Sequence, residues 1–297
     1  RGDDVYALIG CGYTGQRVAR RLLARGLPVL ATSRAPERLD LPGARIVRVD
    51  LAVPGTLEDL RGALEPGVRV LHSVPLLGTP DGAFREPTPE LLACLPAATE
   101  RIVYLSTTGV YGATRTVDER TPAAPRTPRE TLRVEAENRV LAGPWSGLVL
   151  RPAAIYGPGR GVHVSMRRGE FRLLGEGRNY VSRIHVDDLA ALAEAALDSE
   201  LTGAWPVADL APAQSREIAA YCAELLGCPM APPAEAAELS ETRRADRQVD
   251  GRAIAERLGV SLSYPTFREG IPQALAAEAA EPEVFPRSFP GSISGRN

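Results

Sequence analysis

Short apolar runs alternate with longer amphipathic segments over the first half of the chain. The runs are apolar on both faces, which is typical of strands in a parallel sheet that helices cover on both sides. Because crossovers between parallel strands are right-handed, the pattern predicts an α/β fold with a doubly wound parallel sheet of the Rossmann type. The predicted strands are residues 5–9, 28–32, 45–49, 68–72 and 101–105 and a sixth that begins at 148–150, and the predicted helices are 14–24 and 129–141.

Beyond Tyr156 this alternation gives way to a more irregular pattern. Clusters of glycine and proline interrupt it, and helices are predicted at 189–197, 215–226 and 252–258. We therefore expect a sheet domain that binds the cofactor, a smaller C-terminal region that caps the substrate, and an extended tail. The expected boundaries are 1–158 with 184–208 for the sheet domain, 159–183 with 209–280 for the capping region, and 281–297 for the tail.

The charge balance argues against two classes of partner. Arginine and lysine together number 35 against 37 acidic residues, a formal net charge of −2. This near-neutrality gives no electrostatic reason to bind nucleic acid or an anionic membrane surface. All of the basic residues are arginines. Without a lysine, the chain has neither a Schiff-base lysine nor a P-loop lysine.

The cysteines and histidines predict neither a metal site nor a disulfide framework. The 4 cysteines form no CxxC pair, and the chain has 3 histidines. Reduced thiols of this kind favour the cytoplasm. No apolar run approaches the roughly 20 residues that span a bilayer, and the start of the chain lacks the apolar stretch of a signal peptide. We therefore expect a cytoplasmic protein without membrane contacts.

A glycine-rich loop lies where the first predicted strand meets the first predicted helix. Its residues are Gly10-Cys11-Gly12-Tyr13-Thr14-Gly15, which is the spacing GxGxxG. The first glycine makes a tight turn, the second lets the backbone approach a pyrophosphate, and the third allows close packing of helix on strand. Free N–H groups at the helix N-terminus then hold the pyrophosphate. The loop therefore predicts a dinucleotide site that includes Tyr13 and Thr14.

The end of the second strand indicates which dinucleotide is preferred. NAD-binding units place an Asp or Glu about 20 residues past the glycines, where it holds the ribose hydroxyls. This chain has Thr32-Ser33-Arg34 there and Arg38 one turn later. A carboxylate repels a 2′-phosphate, whereas a guanidinium binds it in a bidentate way. We therefore predict NADP as the cofactor, with Ser33 and Arg34 as contacts, and a solvated surface arginine is the open alternative.

Further sequence blocks follow the glycine loop in order along the chain. They are Asp50-Leu51 after the third strand, LSTTGVYG at 105–112, RPAAIYGPG at 151–159, SRIHVDD at 182–188 and YPTFREG at 264–270. Together, over roughly residues 5 to 277, they resemble the extended short-chain dehydrogenase/reductase family, and in particular its atypical, NAD-dependent epimerase/dehydratase-like members. The resemblance implies cofactor contacts by Asp50, Leu51, Ser73, Val74, Ser106, Arg133, Pro152 and Ile155.

The Tyr-x-x-x-Lys pair of that family has no counterpart in this chain. The matching positions hold Arg129 and Arg133, and no tyrosine lies between Tyr111 and Tyr156. A guanidinium stays protonated above about pH 12, so neither arginine donates the proton. The resemblance implies that Arg133 binds the nicotinamide ribose and that Arg129 stabilises an oxyanion or binds a substrate carboxylate.

The alternative for Arg129 and Arg133 is a pair of surface arginines that form ion pairs on their own helix. The partners on offer are Glu130, Glu135 and Glu137. Such pairs at helical spacing are common and stabilise a helix surface.

The resemblance also suggests which groups act on the reacting oxygen. Thr107 matches the Ser/Thr that hydrogen-bonds this oxygen. The candidate proton donors are then Tyr111, Tyr156 and His185, and each of them also fits a buried packing role.

Three functions remain open from the sequence. The first, favoured by the blocks on the nicotinamide side, is an NADP(H)-dependent oxidoreductase that interconverts a carbonyl and a hydroxyl on a small oxygen-rich metabolite in biosynthesis. The second is a redox-neutral epimerase, dehydratase or cyclase, and the third is a nucleotide-bound sensor without chemistry. The expected substrate lining is segment 162–171 with some of Arg183, His185 and Arg247, and a homo-oligomer stays open.

Overall fold

One parallel sheet organises the computed structural model, which describes residues 5–53, 55–281 and 284. The spatial order of its 7 strands reverses at the centre, between the first and the fourth strand along the chain. This order confirms the predicted doubly wound sheet, and such a reversal is where sheets of this kind bind ligands. The strands are β1 (Tyr6–Ile9), β2 (Val29–Ser33), β3 (Arg45–Arg48), β4 (Arg69–His72), β5 (Arg101–Leu105), β6 (Ser146–Pro152) and β7 (Gly203–Val207), in the order β7-β6-β5-β4-β1-β2-β3.

Helices cover both faces of the sheet. One face carries α1 (Tyr13–Ala24) and α6 (Val186–Leu197), and the other carries α2 (Thr56–Ala63), α3 (Thr88–Leu92) and α4 (Pro128–Leu141). Their inward side chains, such as Leu22, Leu189, Leu60 and Val140, are fully buried. Burying a side chain of this size contributes about 1.5–3 kcal/mol, which holds the three layers together.

Two strands differ from the sequence pattern. β3 has exposed arginines at both ends, because it is an edge strand with one free side. β7 contains Pro206 and was not predicted, yet it pairs with β6 over its full length. A proline is tolerated on an edge strand because its missing N–H then faces away from the sheet.

The second half of the described residues adds short strand pairs and further helices. Tyr156, Phe267 and Ile271 form part of an apolar cluster that joins these helices to the sheet domain. A Cβ at Gly270 would lie 2.0 Å from the Tyr156 hydroxyl, so only glycine lets the last helix approach this closely. The helices are α5 (Val162–Arg167), α7 (Ser215–Leu226), α8 (Glu241–Arg244), α9 (Arg252–Leu258) and α10 (Phe267–Ala280), and the parallel pairs include Ala154–Tyr156 with Arg183–His185 and Gln248–Val249 with Thr116–Val117.

The predicted domain boundaries stay a prediction. Apart from residues 281 and 284, the predicted tail at 281–297 lies outside the described residues. No helix within the described residues has both the length and the hydropathy that crossing a membrane requires.

Candidate active site

The parallel sheet brings most of the predicted site residues to one edge. Carboxyl ends of parallel strands point the same way, so residues that follow different strands meet in one cleft. The short strand after β6 carries Ile155, which pairs with Ile184. At or just after the six strand ends from β1 to β6 stand Gly10, Ser33, Asp50, Ser73, Ser106 and Pro152.

Gly10 makes the tight turn that the glycine spacing predicts. Its φ is +83°, in the left-handed region that glycine adopts freely. A Cβ at this position would lie 2.8 Å from the Val74 side chain. The Gly10 N–H donates to Thr32 Oγ1 at 3.0 Å, and the Ser73 hydroxyl donates to the Gly10 carbonyl at 2.8 Å. The ends of β1, β2 and β4 are therefore fixed to one another through this glycine.

The N-terminus of α1 is open to a ligand. Helix geometry leaves the N–H groups of Tyr13, Thr14 and Gly15 without intrahelical partners. Among the described residues, neither a side-chain cap nor an acidic residue occupies this first turn. Within the described part of the chain, a Cβ at Gly12 would meet only the Gly10 carbonyl, at 3.8 Å. The space in front of Gly12 is therefore clear, and the residues fit the pyrophosphate of a dinucleotide.

The loop after β2 presents guanidinium groups to solvent. Arg34 and Arg38 are exposed, and within the described part of the chain neither side chain makes a hydrogen bond or an ion pair. Ser33 Oγ accepts the Ala35 N–H at 3.1 Å, so the Ser33 hydroxyl proton stays available to an acceptor. The loop therefore offers donors to an anion.

Asp50 and Leu51 form the turn after β3. Asp50 Oδ1 accepts the Ala52 N–H at 3.0 Å, and the Thr56 hydroxyl donates to the Asp50 carbonyl at 2.8 Å. Leu51 packs against the apolar cluster under α2. Asp50 thus shapes its own turn with one carboxylate oxygen, and its second oxygen accepts from no described residue.

At the ends of β5 and β6, polar side chains bind one another. The Ser106 hydroxyl donates to Glu137 Oε1 at 2.5 Å, and Arg151 Nη2 donates to Glu137 Oε2 at 2.6 Å. Arg151 Nη1 also donates to the Tyr111 hydroxyl at 3.3 Å. Burial raises the pKa of Tyr111, whose side chain has no exposed surface. In this structure Ser106 and Tyr111 therefore belong to a buried network (Ser106, Glu137, Arg151 and Tyr111), which sequence reasoning missed because it needs the α4–β6 packing.

Arg133 extends from α4 toward β5. Its Nη1 donates to the Tyr104 hydroxyl at 2.5 Å, and Tyr104 stacks on His72 with ring centroids 4.8 Å apart. Burial, followed by the charge of Arg133, lowers the pKa of His72 to about 3, so this imidazole is neutral. A guanidinium has five N–H donors, and Arg133 therefore keeps donors for a ligand.

Arg129 lies one helical turn before Arg133. Its guanidinium is 5.1 Å from the centroid of the Phe84 ring. Among the described residues it forms no ion pair, and Glu130, one of its expected partners, instead closes the capping box of α4. The ion-paired surface arginine is therefore not seen, and the exposed guanidinium of Arg129 is available to an anion.

Thr107 is the N-cap of the short 3-10 helix Thr108–Tyr111. Its Oγ1 accepts the Gly109 N–H at 3.1 Å. Because one lone pair is used in this way, the hydroxyl proton points elsewhere and can be donated to a ligand oxygen.

His185 and Tyr156 are packed between the sheet domain and α10. His185 Nδ1 accepts the Asp187 N–H at 3.2 Å, so the proton of this neutral imidazole is on Nε2, 2.9 Å from Gln273 Oε1. Burial lowers the pKa of His185 to about 4. The Tyr156 hydroxyl donates to the Thr266 carbonyl at 3.4 Å, and burial raises the pKa of Tyr156. His185 and Tyr156 thus make the contacts expected of buried packing residues.

Two residues of the expected substrate lining are committed to protein carbonyls. Arg183 is 5% exposed, and its Nη1 donates to a backbone carbonyl at 2.8 Å. Arg247 donates to the carbonyls of Thr108 at 2.7 Å, of Thr114 at 3.0 Å and of Gly112. Nothing in the linear sequence signals the Arg247 contacts, because they join residues far apart in the chain.

Asp209 is a buried carboxyl that sequence reasoning missed. It follows β7, and its Oδ1 accepts the Ala211 N–H at 3.1 Å. Its Oδ2 is buried without a hydrogen-bond partner among the described residues. Burial raises the pKa of Asp209 to about 7, against the opposing charge of Arg183.

A cavity of about 400 Å³ lies beside the glycine loop. Tyr13 forms one wall, and its hydroxyl donates to the Pro158 carbonyl at 2.9 Å. Arg160, Arg167 and Arg168 also line the cavity, and Arg167 is paired with Glu278 at 2.6 Å. Part of segment 162–171 therefore lines a cavity whose walls are rich in arginine.

The glycine loop and the ends of the strands from β1 to β6 lie within the region matched by one family model. The model of the NAD dependent epimerase/dehydratase family matches residues 8–206. The chain belongs to this family. The family binds a nicotinamide dinucleotide, which agrees with the open N-terminus of α1, and the resemblance found in the sequence is confirmed.

Two relatives of known name are reductases. The chain is 31% identical over 151 residues to a 3-diazoavenalumate denitrifying reductase of Streptomyces sp, covering 46% of this chain and 50% of that protein. It is 31% identical over 210 residues to a 2-alkyl-3-oxoalkanoate reductase of Stenotrophomonas maltophilia (strain K279a), covering 61% of each. The chain thus matches about half to three-fifths of the length of these relatives.

Solved structures share the fold over nearly the whole chain. A functionally unknown conserved protein from Silicibacter pomeroyi DSS is 32% identical, with a TM-score of 0.74 over 92% of this chain and 99% of that chain. MoeE5 in complex with UDP-glucuronic acid and NAD is 21% identical, with a TM-score of 0.75 over 94% of this chain and 99% of that chain. The second likeness supports the fold alone.

Proposed function

We propose that the protein is an NADP(H)-dependent reductase of a carbonyl group on a small, oxygen-rich metabolite. The observation that carries the choice of NADP is the exposed Arg34 guanidinium at the end of β2, which has no partner within the described residues. Both named relatives are reductases, which supports the direction of the chemistry.

The end of β2 supports NADP rather than NAD for a physical reason. The 2′-phosphate carries charge and acceptor oxygens, and a guanidinium provides two parallel N–H donors for such a group. Ser33 adds a hydroxyl whose proton has no acceptor in the part of the chain that the structure describes. No carboxylate is contributed by the segment Thr32-Ser33-Arg34, so the ribose hydroxyls of NAD have no acidic acceptor from it.

The bound cofactor would supply hydride to the substrate carbonyl. Arg133 would hold the cofactor ribose with the N–H groups that Tyr104 leaves free. The Thr107 hydroxyl would donate to the substrate oxygen, and the Arg129 guanidinium would stabilise negative charge that develops there. Because an arginine does not release its proton near neutral pH, the proton that completes the alcohol would come from solvent.

The proposal is tested by following the absorbance of reduced cofactor while a panel of small carbonyl compounds is added to the protein. We expect consumption of NADPH with at least one β-keto or polyhydroxylated carbonyl compound, and slower consumption of NADH. Binding of NADPH without any consumption across the panel would favour the sensor function.

The redox-neutral alternative is favoured by one finding, the match to an epimerase/dehydratase family model. An epimerase or dehydratase converts its substrate without net use of cofactor. Product analysis by mass spectrometry and NMR therefore separates it from the reductase: a changed substrate with constant NADPH supports the alternative.

A further inference from the structure

Arg247 binds three backbone carbonyls of the loop between β5 and α4. Nε donates to the Thr114 carbonyl at 3.0 Å, Nη1 donates to the Thr108 carbonyl at 2.7 Å, and Nη2 donates to the Gly112 carbonyl. Among residues 5–53, 55–281 and 284, Arg247 is the only donor to the carbonyls of Gly112 and Thr114. These carbonyls belong to residues 108–114 of the loop, which directly follow Thr107, the residue that would donate to the substrate oxygen.

Arg247 reaches the loop from the distant C-terminal half of the chain. Its backbone N–H donates to the Tyr180 carbonyl at 2.8 Å. The next two residues, Gln248–Val249, pair in parallel with Thr116–Val117, just beyond the loop. Arg247 therefore joins the segment that follows β5 to the segment that would cap the substrate.

The guanidinium is half-buried without a carboxylate partner. Within the described residues it forms no ion pair, and burial lowers the pKa of Arg247. A cation removed from water without a counter-ion costs stability, and an apolar side chain would fill the same space at lower cost. An apolar side chain, however, lacks the planar guanidinium, whose N–H groups hold several acceptors at set angles to one another.

We propose that Arg247 is a positioning residue that fixes the 108–114 loop and, through it, the Thr107 hydroxyl. The hydroxyl depends on this loop because Thr107 Oγ1 accepts the Gly109 N–H. The expected effect of Arg247 on turnover rests on the proposed function, whereas its expected effect on the loop does not. Arg247 itself does not touch the reacting atoms.

The experiment compares Arg247→Ala and Arg247→Lys with a matched control, Arg252→Ala. Arg252 is exposed and pairs with Asp250, and it does not contact the loop. Hydrogen–deuterium exchange of the Gly112 and Thr114 amides reports on the loop, because these amides donate to Gly109 and Tyr111 within it. Steady-state kinetics and NADPH binding are measured on the same three variants, and Arg247→Ala is assayed again with low-millimolar guanidinium.

We expect both Arg247 variants to exchange faster at Gly112 and Thr114 and the control to match the wild type. Misplacing a reacting group by about 1 Å costs about 100-fold in rate, so we expect the kcat of Arg247→Ala to fall by about 10- to 100-fold. The Kd for NADPH stays unchanged, since the glycine loop lies elsewhere. Added guanidinium partly restores kcat in Arg247→Ala only.

Two results would overturn the proposal, and neither depends on the other. Unchanged exchange in folded Arg247→Ala shows that the arginine does not hold the loop, whatever the activity. Faster exchange with unchanged kcat shows that the contact is structural alone. If the wild type consumes no NADPH with any substrate, the proposed function has failed, and the exchange result still decides whether Arg247 holds the loop.

Discussion

The two halves of the cleft edge differ in whether their polar groups are bonded to other protein groups. At the ends of β1 and β2, the N–H groups in the first turn of α1, the Ser33 hydroxyl proton and the Arg34 guanidinium have no protein acceptor among the described residues. At the ends of β5 and β6, the side chains of Ser106, Glu137, Arg151 and Tyr111 bind one another. A region that binds an outside group must leave donors free, whereas a region that holds shape uses them up. We therefore infer that the first is the ligand-binding half, because its donors are free, and that the second is the rigid half, because its side chains bind one another. Thr107 and Arg129 are the open groups of the rigid half.

The largest effect is expected from removing the centre of the buried network. Glu137→Ala leaves Arg151 buried and unpaired and removes the acceptor of Ser106, so the free energy of unfolding should fall by about 3–5 kcal/mol. Urea unfolding measures this change. Glu135→Ala, an exposed change on the same helix, should stay within about 0.5 kcal/mol of the wild type. A loss below about 1 kcal/mol for Glu137→Ala would show that the network is not what holds this half rigid.

Asp209 follows the neighbouring strand β7 and is an exception to this pattern, because one of its oxygens is buried without a partner among the described residues. Its pKa is about 7 in the folded protein against an ordinary value of 3.8. Between these two values the folded protein holds a proton that the unfolded chain has lost, so the free energy of unfolding falls as pH rises through this range. Asp209→Asn cannot ionise and should be more stable than the wild type by about 2–4 kcal/mol near pH 8.

Denaturation at several pH values measures the Asp209 effect. The difference between Asp209→Asn and the wild type should shrink as the pH falls from about 7 to 3.8 and approach zero below 3.8, where the carboxyl is protonated in both the folded and the unfolded state. A constant difference at all pH values would contradict the raised pKa.

Arg129 tests whether the rigid half also carries an open catalytic group. Arg129→Ala should lower turnover by about 2–4 kcal/mol of transition-state stabilisation, the size expected for a donor to a developing oxyanion. Arg129→Lys should give an intermediate loss, because it keeps the charge and lacks the fork. Steady-state kinetics on the substrate found with NADPH measures both, and Arg139→Ala on the same helix serves as control. Unaltered turnover in Arg129→Ala would show that Arg129 is a surface arginine without a catalytic role.

Gly12 and Gly10 have different roles in the glycine loop: Gly12 leaves room for the ligand, whereas Gly10 is required by the fold. Gly12→Ala should leave the free energy of unfolding unchanged, since its Cβ would meet only one protein atom, at 3.8 Å. It should weaken dinucleotide binding by about 2 kcal/mol, because the Cβ takes the space of the pyrophosphate. Gly10→Ala should instead destabilise the fold, given its φ of +83° and the contact at 2.8 Å with Val74. Calorimetric titration with unfolding curves checks the pair, and equal behaviour of the two variants would contradict the division.

The sequence predicts the ligand-binding half better than the rigid half, for a physical reason. The glycine loop and Arg34 are local signals, because a strand, a turn and a helix N-terminus lie within a few residues. The network around Glu137 and the contacts of Arg247 join residues that are distant in the chain and meet only when helices pack on the sheet. β7 was missed because Pro206 interrupts the strand pattern, although a free sheet edge accepts a proline. Tyr111, Tyr156 and His185 were open alternatives in the sequence, and only packing shows how each is surrounded.

The preference for NADP is tested most directly by measuring the Kd of NADPH and of NADH on the wild type and on Arg34→Ala. We expect Arg34→Ala to weaken NADPH binding by about 1–3 kcal/mol and to leave NADH binding nearly unchanged, because only the 2′-phosphate contacts the guanidinium. Arg45→Ala, an exposed change at the opposite end of the neighbouring strand β3, should alter neither Kd. Equal losses for both dinucleotides, or a wild type that binds NADH more tightly, would contradict the account.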